Sequence, residues 1–312
     1  AIVSKKLKTY IPHTFVSDII GIKAQAAVAK MKSGDVLLLE NLRQDPREEK
    51  NDKVFAQALS SLADLYVNDA FPVCHRAHAS VVGVPKYLPH YGGLQLLKEV
   101  DVLSHVMDKP KRPFLFLLGG AKFGTKIPLI KKFLHRADMV FVGGALANNF
   151  FKEEGLEVGK SLVDPKKFGL RKLEQEGNLF LPVDVVVRNG THSTSSGQDH
   201  LIKGPEHVSK NEMMVDIGPA SVALIEILIA RSKTILWNGP MGTYEDGFGQ
   251  ATESILQALG ESRAETIIGG GDTVTLVDKL KIEDKLSFVS TGGGATIDFL
   301  ANGRLPGLDA LT

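Results

Sequence analysis

The chain has a single cysteine, Cys74, among 312 residues. One thiol excludes an internal disulfide framework and a CxxC metal or redox motif, and it suits a reducing compartment, so a cytoplasmic location is expected. Charge of one sign is also missing: 37 Lys and Arg stand against 36 Asp and Glu, a formal net charge of +1. No overall field draws such a protein to nucleic acid or to a membrane surface, so any anion site must be local. No uninterrupted apolar run approaches the length of a membrane span, and the opening stretch AIVSKKLKTYIPHTF has no apolar signal-peptide core. No repeat of fixed period and no low-complexity tract divides the chain. Two familiar phosphate motifs are absent too, because GGAKFGTK lacks the GxxxxGK[ST] spacing and GGGDTV is not GxGxxG.

What is present is an ordinary globular composition, 43% hydrophobic and 23% charged, long enough for about two domains. From Arg112 to Phe150 an apolar run at Phe114 to Leu118 stops at Gly119-Gly120. An amphipathic stretch follows around Leu129 to Leu134, and a second run, Met139 to Val142, stops at Gly143-Gly144. Continuous apolar strands joined by a crossover helix read as a parallel βαβ unit. Related strands are expected at Val36 to Leu39 and Leu65 to Val67, and in TILWNGPMG, TIIGGGDT and LSFVSTGGGAT. Helical spacing covers Asp52 to Leu62, Gly249 to Leu259 and Thr273 to Leu280. The fold class is therefore α/β with mainly parallel sheets. A helix from about Leu94 to Met107, stopped by Pro110 and Pro113, is a candidate connector between two groups of strands. The polar, turn-rich segment Arg188 to Glu212 reads as a loop or irregular hairpin without a catalytic role.

Glycines at the carboxyl ends of parallel strands let backbone approach a ligand, and the helices that follow present free N–H groups. Five such turns are present: Gly119-Gly120, Gly143-Gly144, Gly239, Gly269 to Gly271 and Gly292 to Gly294. Either they converge on one phosphate-binding edge or each merely permits a tight turn. Lys122 and Lys126, four apart where a turn enters a helix, are candidate anion ligands or solvated surface lysines; Asn238, Asp272 and Thr273 are the other polar candidates. A carboxylate at Asp272 beside phosphate-binding amides implies a bridging Mg²⁺ and so a metal-nucleotide complex. In the first half, Arg43 and Arg76 at strand ends suit a small phosphorylated or carboxylated molecule. Arg43 paired with a surface acid is the plain alternative. His75 and His78 read better as structural or hydrogen-bonding groups than as bases.

LLLENLR, VNDAF with HRAHAS, GGAK, WNGPMG, IIGGGDT and STGGGAT occur in the order and rough spacing of phosphoglycerate kinase, and the chain resembles that family from about Gly34 to Thr312. The resemblance implies two Rossmann-like three-layer α/β/α domains. Residues 1–93 and 286–312 would form the phosphoglycerate-binding domain, 94–108 a hinge helix and 109–285 the nucleotide-binding domain. It implies a monomeric cytoplasmic enzyme of glycolysis or the Calvin cycle, which moves a phosphoryl group between 1,3-bisphosphoglycerate and Mg-ADP by hinge closure, with no nucleic-acid or membrane partner. By position, Arg43, Arg76, His75 and His78 fall at the phosphoglycerate. Lys122, Lys126, Gly293 and Gly294 fall at the transferring group. Gly120, Gly144, Asn238, Pro240 and Glu245 fall along adenine and ribose, and Gly270, Gly271, Asp272 and Thr273 along the Mg-phosphates, with Asp272 toward the metal. Two departures accompany it. Thr125 precedes Lys126 where the family usually has Asp, and the family's first substrate segments, of the DFN and HLGRP types, are expected before Ala1. The alternative they raise is a nucleotide-binding paralogue or fragment without transfer activity.

Overall fold

The structure, a computed structural model, describes residues 2–189 and 200–312. The chain divides into two compact units, Ala1–Lys98 with Arg304–Thr312, and Glu99–Gly303. Among the described residues no helix is long and apolar enough to cross a membrane.

The first unit contains two short parallel pairs, β1 (Thr14–Phe15) with β2 (Leu37–Leu38) and β3 (Tyr66–Asn68) with β4 (His90–Gly92). The strands expected at Val36 and Leu65 are thus present but shorter. Helices α1 (Ile2–Leu7), α2 (Ile22–Val28), α3 (Pro46–Glu49) and α4 (Lys53–Ser60) accompany them. Helix α4 begins where Asp52 caps it, its carboxylate accepting from the Phe55 N–H at 2.8 Å. Phe55 and Ala56 on its inner face pack with Ala79, Ile19, Ile20 and Leu59. The acid of Glu48, at the end of α3, is buried and accepts from the Ser80 N–H at 2.9 Å, which pins the segment after His78.

Helix α5 (Leu94–Asp108) covers the helix expected from about Leu94 to Met107, and the division between units falls inside it, between Lys98 and Glu99. The second unit follows with β5 (Phe114–Leu118), α6 (Phe123–Leu134), β6 (Met139–Val142), α7 (Ala145–Glu154), α8 (Arg171–Glu174) and β7 (Leu179–Phe180). Next come β8 (Val185–Asn189), β9 (His200–Lys203), β10 (Glu212–Ile217), α9 (Pro219–Arg231), β11 (Thr234–Asn238), α10 (Gln250–Glu261), β12 (Glu265–Gly269), α11 (Gly271–Leu280), β13 (Phe288–Val289) and α12 (Gly294–Asn302). Six strands form one parallel sheet in the order β13-β12-β11-β5-β6-β7. Every residue of β5 is buried, and Phe116 stacks on Phe133 of α6 with ring centroids 3.9 Å apart. Burial of side chains this size is worth roughly 1.5–3 kcal/mol each, which is why the run cannot be an edge. From β5 the chain winds outward through β6 and β7, and later returns beside β5 to wind the other way through β11, β12 and β13. The topological switch point therefore lies between β5 and β11.

Strands β8, β9 and β10 make a separate antiparallel sheet in the order β10-β8-β9. The described part of 188–212 is thus partly a hairpin; residues 190–199 lie outside the described residues. The return to the first unit is shorter than the expected 286–312. Strand β13 pairs with β12, α12 packs on α6, and Lys132 donates to the last carbonyls of α12, those of Leu300 and Ala301, at 2.7 and 2.9 Å. Those bonds keep 286–303 in the second unit. Only Arg304–Thr312, with α13 (Pro306–Asp309), rejoins the first, where the Gly307 N–H donates to the Cys74 carbonyl at 2.8 Å.

Candidate active site

At the switch point the ends of β5 and β11 are stitched by backbone. The Gly119 N–H donates to the Asn238 carbonyl at 3.0 Å and the Gly120 N–H to that of Pro240 at 2.8 Å. A Cβ on Gly119 would lie 2.1 Å from the Pro240 oxygen, so glycine is required there by packing rather than by the turn. Gly144 closes on the same point, 3.0 Å from both the Gly120 nitrogen and the Pro240 oxygen by the same measure. At Gly120 and Gly239 the missing Cβ atoms leave room for something else. They would stand 2.9 and 2.7 Å from Nζ of Lys126.

That amine is the chemical centre of the edge. Lys126 is 7% exposed and donates to the Gly119 carbonyl at 2.7 Å. Burial pulls its ammonium down to about 8, with Asp272 opposing the fall and Lys122 adding to it. Lys122 is exposed at the cap position of α6, so the two lysines, four apart, occupy different environments. Thr125 donates its hydroxyl to the Lys122 carbonyl at 2.9 Å, a local bond at the amino end of that helix.

Unpaired polar atoms surround this centre. Asn238 is 1% exposed and neither its amide nitrogen nor its oxygen has a partner; the buried hydroxyl of Thr273 has none either. Such atoms are rare in native interiors and costly unless something pairs with them. Gly269 and Gly270 lie against the Asn238 amide, and Gly270, at φ 97°, caps α11, whose first turn holds Gly271, Asp272 and Thr273. Free N–H groups at that helix start suit an anion. The Gly292–Gly294 loop joins the same edge: the Ser290 N–H donates to Ile268 of β12, and its hydroxyl meets that of Thr296 at 2.7 Å.

Beside the turns lies a cavity of about 260 Å³, lined by Gly120, Gly144, Pro240, Glu245 and Asp272 with apolar walls from Phe151, Leu162 and Met241. Glu245 stands exposed on the turn Tyr244–Asp246. A larger open groove, about 870 Å³, lies at the opposite, amino-terminal end of the sheet among Lys111, Glu226, Lys233 and Arg263. The smaller cavity is the better site because the glycine turns and the buried amine converge beside it.

In the first unit Arg43 is exposed on the turn Leu42–Gln44 and makes no ion pair among the described residues. The surface-acid alternative for it is therefore unsupported. Arg76 is half-buried, with its Nε buried and without a hydrogen-bond partner. His75 and His78 are half-buried, and Nδ1 of His78 lies 3.9 Å from the Glu48 carboxylate. At that separation the imidazole is not hydrogen-bonded to the acid.

Sequence reasoning missed Glu99, fully buried on α5, whose carboxylate accepts from both the N–H and hydroxyl of Thr291 at 2.7 and 2.8 Å, next to the Gly292–Gly294 loop. Its signal was an acid on the same helical stripe as Leu96, Leu103 and Val106.

Fold and edge together define a class: a two-unit α/β protein whose doubly wound unit carries a glycine-cradled, anion-suited site at its switch point. The family model for phosphoglycerate kinase matches residues 1–303. The phosphoglycerate kinase of Pelotomaculum thermopropionicum is 43% identical over 99% of this chain and 80% of its own length; that of Moorella thermoacetica is 42% identical over 95% and 77%. Among solved structures, phosphoglycerate kinase from Coxiella burnetii superposes with a TM-score of 0.80 at 35% identity, covering all of this chain and 80% of that one. The chain belongs to the phosphoglycerate kinase family and is accordingly a phosphotransferase of the α/β class.

Proposed function

We propose that this chain transfers the acyl phosphate of 1,3-bisphosphoglycerate to ADP, reversibly, with the nucleotide held at the carboxyl edge of the six-stranded sheet and the phosphoglycerate held by the first unit. The observation that carries the reading is the Lys126 amine, buried between the Gly119-Gly120 and Gly239 turns with a carbonyl as its hydrogen-bond partner. A cation so placed is worth most where negative charge is being redistributed. In the forward direction a β-phosphate oxygen of ADP forms the new P–O bond as the bond to the carboxyl oxygen breaks, leaving 3-phosphoglycerate and ATP. No side chain has to remove a proton, so positioning and charge neutralisation do the work.

Gly120 and Gly144 flank the adenine, Pro240 and Asn238 line its approach, and Glu245 takes the ribose; the cavity bordered by Gly120, Gly144, Pro240 and Glu245 supports this. Gly270, Gly271 and Thr273 present amides and a hydroxyl to the phosphates. Lys122, Gly293 and Gly294 attend the transferring group with Lys126. Arg43 and Arg76, with His75 and His78, hold the phosphoglycerate, and the unpaired Nε of Arg76 supports that role. Mg²⁺ fits the chain through Asp272 alone: among the described residues no three metal-ligating side chains cluster, and Mg²⁺ takes most of its ligands from nucleotide phosphates and water. Its contribution there is to neutralise phosphate charge. Because the two sets of residues lie in different units, closure about α5 belongs to the proposal, as do a monomeric state and cytoplasmic residence.

The test is calorimetric titration of the protein with Mg-ADP, followed by a coupled assay with ATP and 3-phosphoglycerate. Nucleotide binding with phosphoglycerate-dependent turnover is the expected result. Binding without turnover favours the alternative raised by Thr125, a nucleotide-binding protein lacking transfer activity, and the absence of both overturns the reading.

A further inference from the structure

Asp216 is a carboxylate where an apolar residue is expected. It stands in the run EMMVDI of β10 and is 6% exposed. Where β10 pairs with β8, Met214 faces Val187 but Asp216 faces Val186, so Val215 is an inserted, bulged residue. The Val215 carbonyl accepts from the N–H and hydroxyl of Thr243 at 2.9 and 3.3 Å. The bulge turns Asp216 inward, where its two oxygens accept from the N–H groups of Ile217 at 2.9 Å and of Ala251, in the first turn of α10, at 3.2 Å. Gly242 packs directly on the carboxyl: a Cβ there would lie 2.4 Å from the Asp216 Cγ and 2.3 Å from the Phe248 carbonyl. Asp216, Gly242, Thr243, Tyr244 and Glu245 line one wall of the cavity beside the switch point.

We propose that Asp216 is a positioning residue for the nucleotide: its carboxylate ties the 242–249 loop and the amino end of α10 to β10, and thereby fixes the wall on which Tyr244 and Glu245 stand. It acts through Gly242 and Ala251, since both its oxygens are already occupied by backbone donors. The inference rests on the nucleotide reading of the cavity. Burial pushes the Asp216 carboxyl up to about 7, against the pull of the Ala251 and Ile217 N–H groups. Because that burial is supplied by the loop itself, the closed wall holds the protonated carboxyl more readily than an opened, hydrated one would, and the tie loosens as pH rises through about 7. Other titratable or charged groups on the surrounding elements include Tyr244, Glu245 and Asp272 on the cavity wall, Arg188 on β8 at 4.0 Å from Asp246, Glu212 on β10, Glu253 and Glu261 on α10, and on β9 Lys203 and His200, the latter edge-on to Phe248.

The sign of the effect on stability separates this role from simple structural support. A carboxyl raised in the folded state binds its proton more tightly there than in the unfolded chain, so the ionised carboxylate costs stability above pH 7. Asp216→Asn should therefore keep or raise Tm at pH 8 while weakening ADP by roughly five- to tenfold, the size of one lost charge-assisted cap. Adenosine, which carries no titrating phosphate, should bind the unaltered protein severalfold more weakly at pH 8 than at pH 6. It should bind Asp216→Asn with no such slope, and His200→Gln with the original slope. Parallel slopes and equal ADP affinities overturn the proposal, as does a loss of affinity that merely follows a fall in Tm. If Asp216→Asn does not fold, amide exchange on the unaltered protein decides. Protection of Ala251 and of the 242–249 loop, corrected for intrinsic rates, should be smaller at pH 8 than at pH 6, and equal protection overturns the idea. Failure of the unaltered protein to bind ADP at pH 8 counts against the nucleotide reading itself.

Discussion

The two units build their sites by different means. In the second, five-residue strands lie wholly inside a six-stranded sheet, and the site is made of backbone: glycine turns, helix starts and one buried amine. In the first, strands of two or three residues form isolated pairs, and large apolar side chains such as Ile22 and Leu94, the latter 86% exposed, remain on the surface. The candidate groups there, Arg43, His75, Arg76 and His78, stand on turns and short segments. A site made of backbone should fail when atoms are added, and a site made of side chains when charges are removed.

The largest effect should come from adding one carbon where backbone meets backbone. Gly119→Ala would put Cβ 2.1 Å from the Pro240 oxygen and 2.6 Å from that of Gly239; the first carbonyl cannot swing aside without breaking the β5–β11 stitch, nor the second without losing its bond from the Trp237 indole N–H. A loss of about 3 kcal/mol in denaturant unfolding, with activity abolished, is expected. Gly293→Ala sharpens the point, because that glycine has φ 52° but no atom near its missing Cβ. Only the left-handed backbone penalty of about 1 kcal/mol applies there. Equal costs at the two positions would show that turn conformation, not close packing, selects these glycines.

Removing the buried amine should separate function from stability. Lys126→Met should lower kcat by roughly 10²- to 10³-fold through loss of a cation at the transferring group. Its ammonium sits at about 8 in the fold against 10.5 ordinarily, so between those values the unfolded chain binds more protons and the stability of the ligand-free protein rises with pH. Below pH 8 the buried charge costs roughly 3 kcal/mol, and the Met variant should recover much of it. Chemical denaturation at pH 7.5 and pH 10 checks both halves: the original protein should gain stability across that interval and the variant should not.

In the first unit, deletion of charge is the sensitive change. Arg76→Ala should raise the KM for phosphoglycerate by about tenfold or more, as loss of a charge-assisted contact does, while the Kd for Mg-ADP stays put. An unchanged phosphoglycerate KM would remove Arg76 from the site.

The same contrast explains what could be read before the structure. Apolar runs, five residues in β5 and three in β11, locate those strands because burial on both faces leaves an unbroken pattern, whereas a strand as short as β1 leaves almost none. The glycine turns are legible as glycines. Their convergence is not, because strand order is a nonlocal property that no period of 2 or 3.6 encodes, and the switch point between β5 and β11 depends wholly on it. Nor did the spacing of Lys122 and Lys126 distinguish a capping position from a buried one. The stripe of Phe123, Ile127, Ile130 and Phe133 does, since Lys126 falls on it and Lys122 does not. Glu99 and Asp216 carried the same signal, an acid in an apolar position, and such positions deserve a functional question first.

The smallest expected effect tests whether the contrast extends to the surface. Each unit has an exposed ion pair away from its candidate residues: Arg304 with Asp309 at 3.2 Å in the first, and Lys279 with Glu253 at 3.0 Å in the second. Water screens both, and each must hold long side chains in one geometry for little Coulomb gain. Arg304→Ala and Lys279→Ala should each change unfolding free energy by less than about 0.5 kcal/mol, with the difference shrinking further as salt is raised. If Arg304→Ala instead cost several times more than Lys279→Ala, the first unit would depend on its surface charges in a way its short strands alone do not explain, and the division into backbone-built and side-chain-built halves would have to include stability as well as the site.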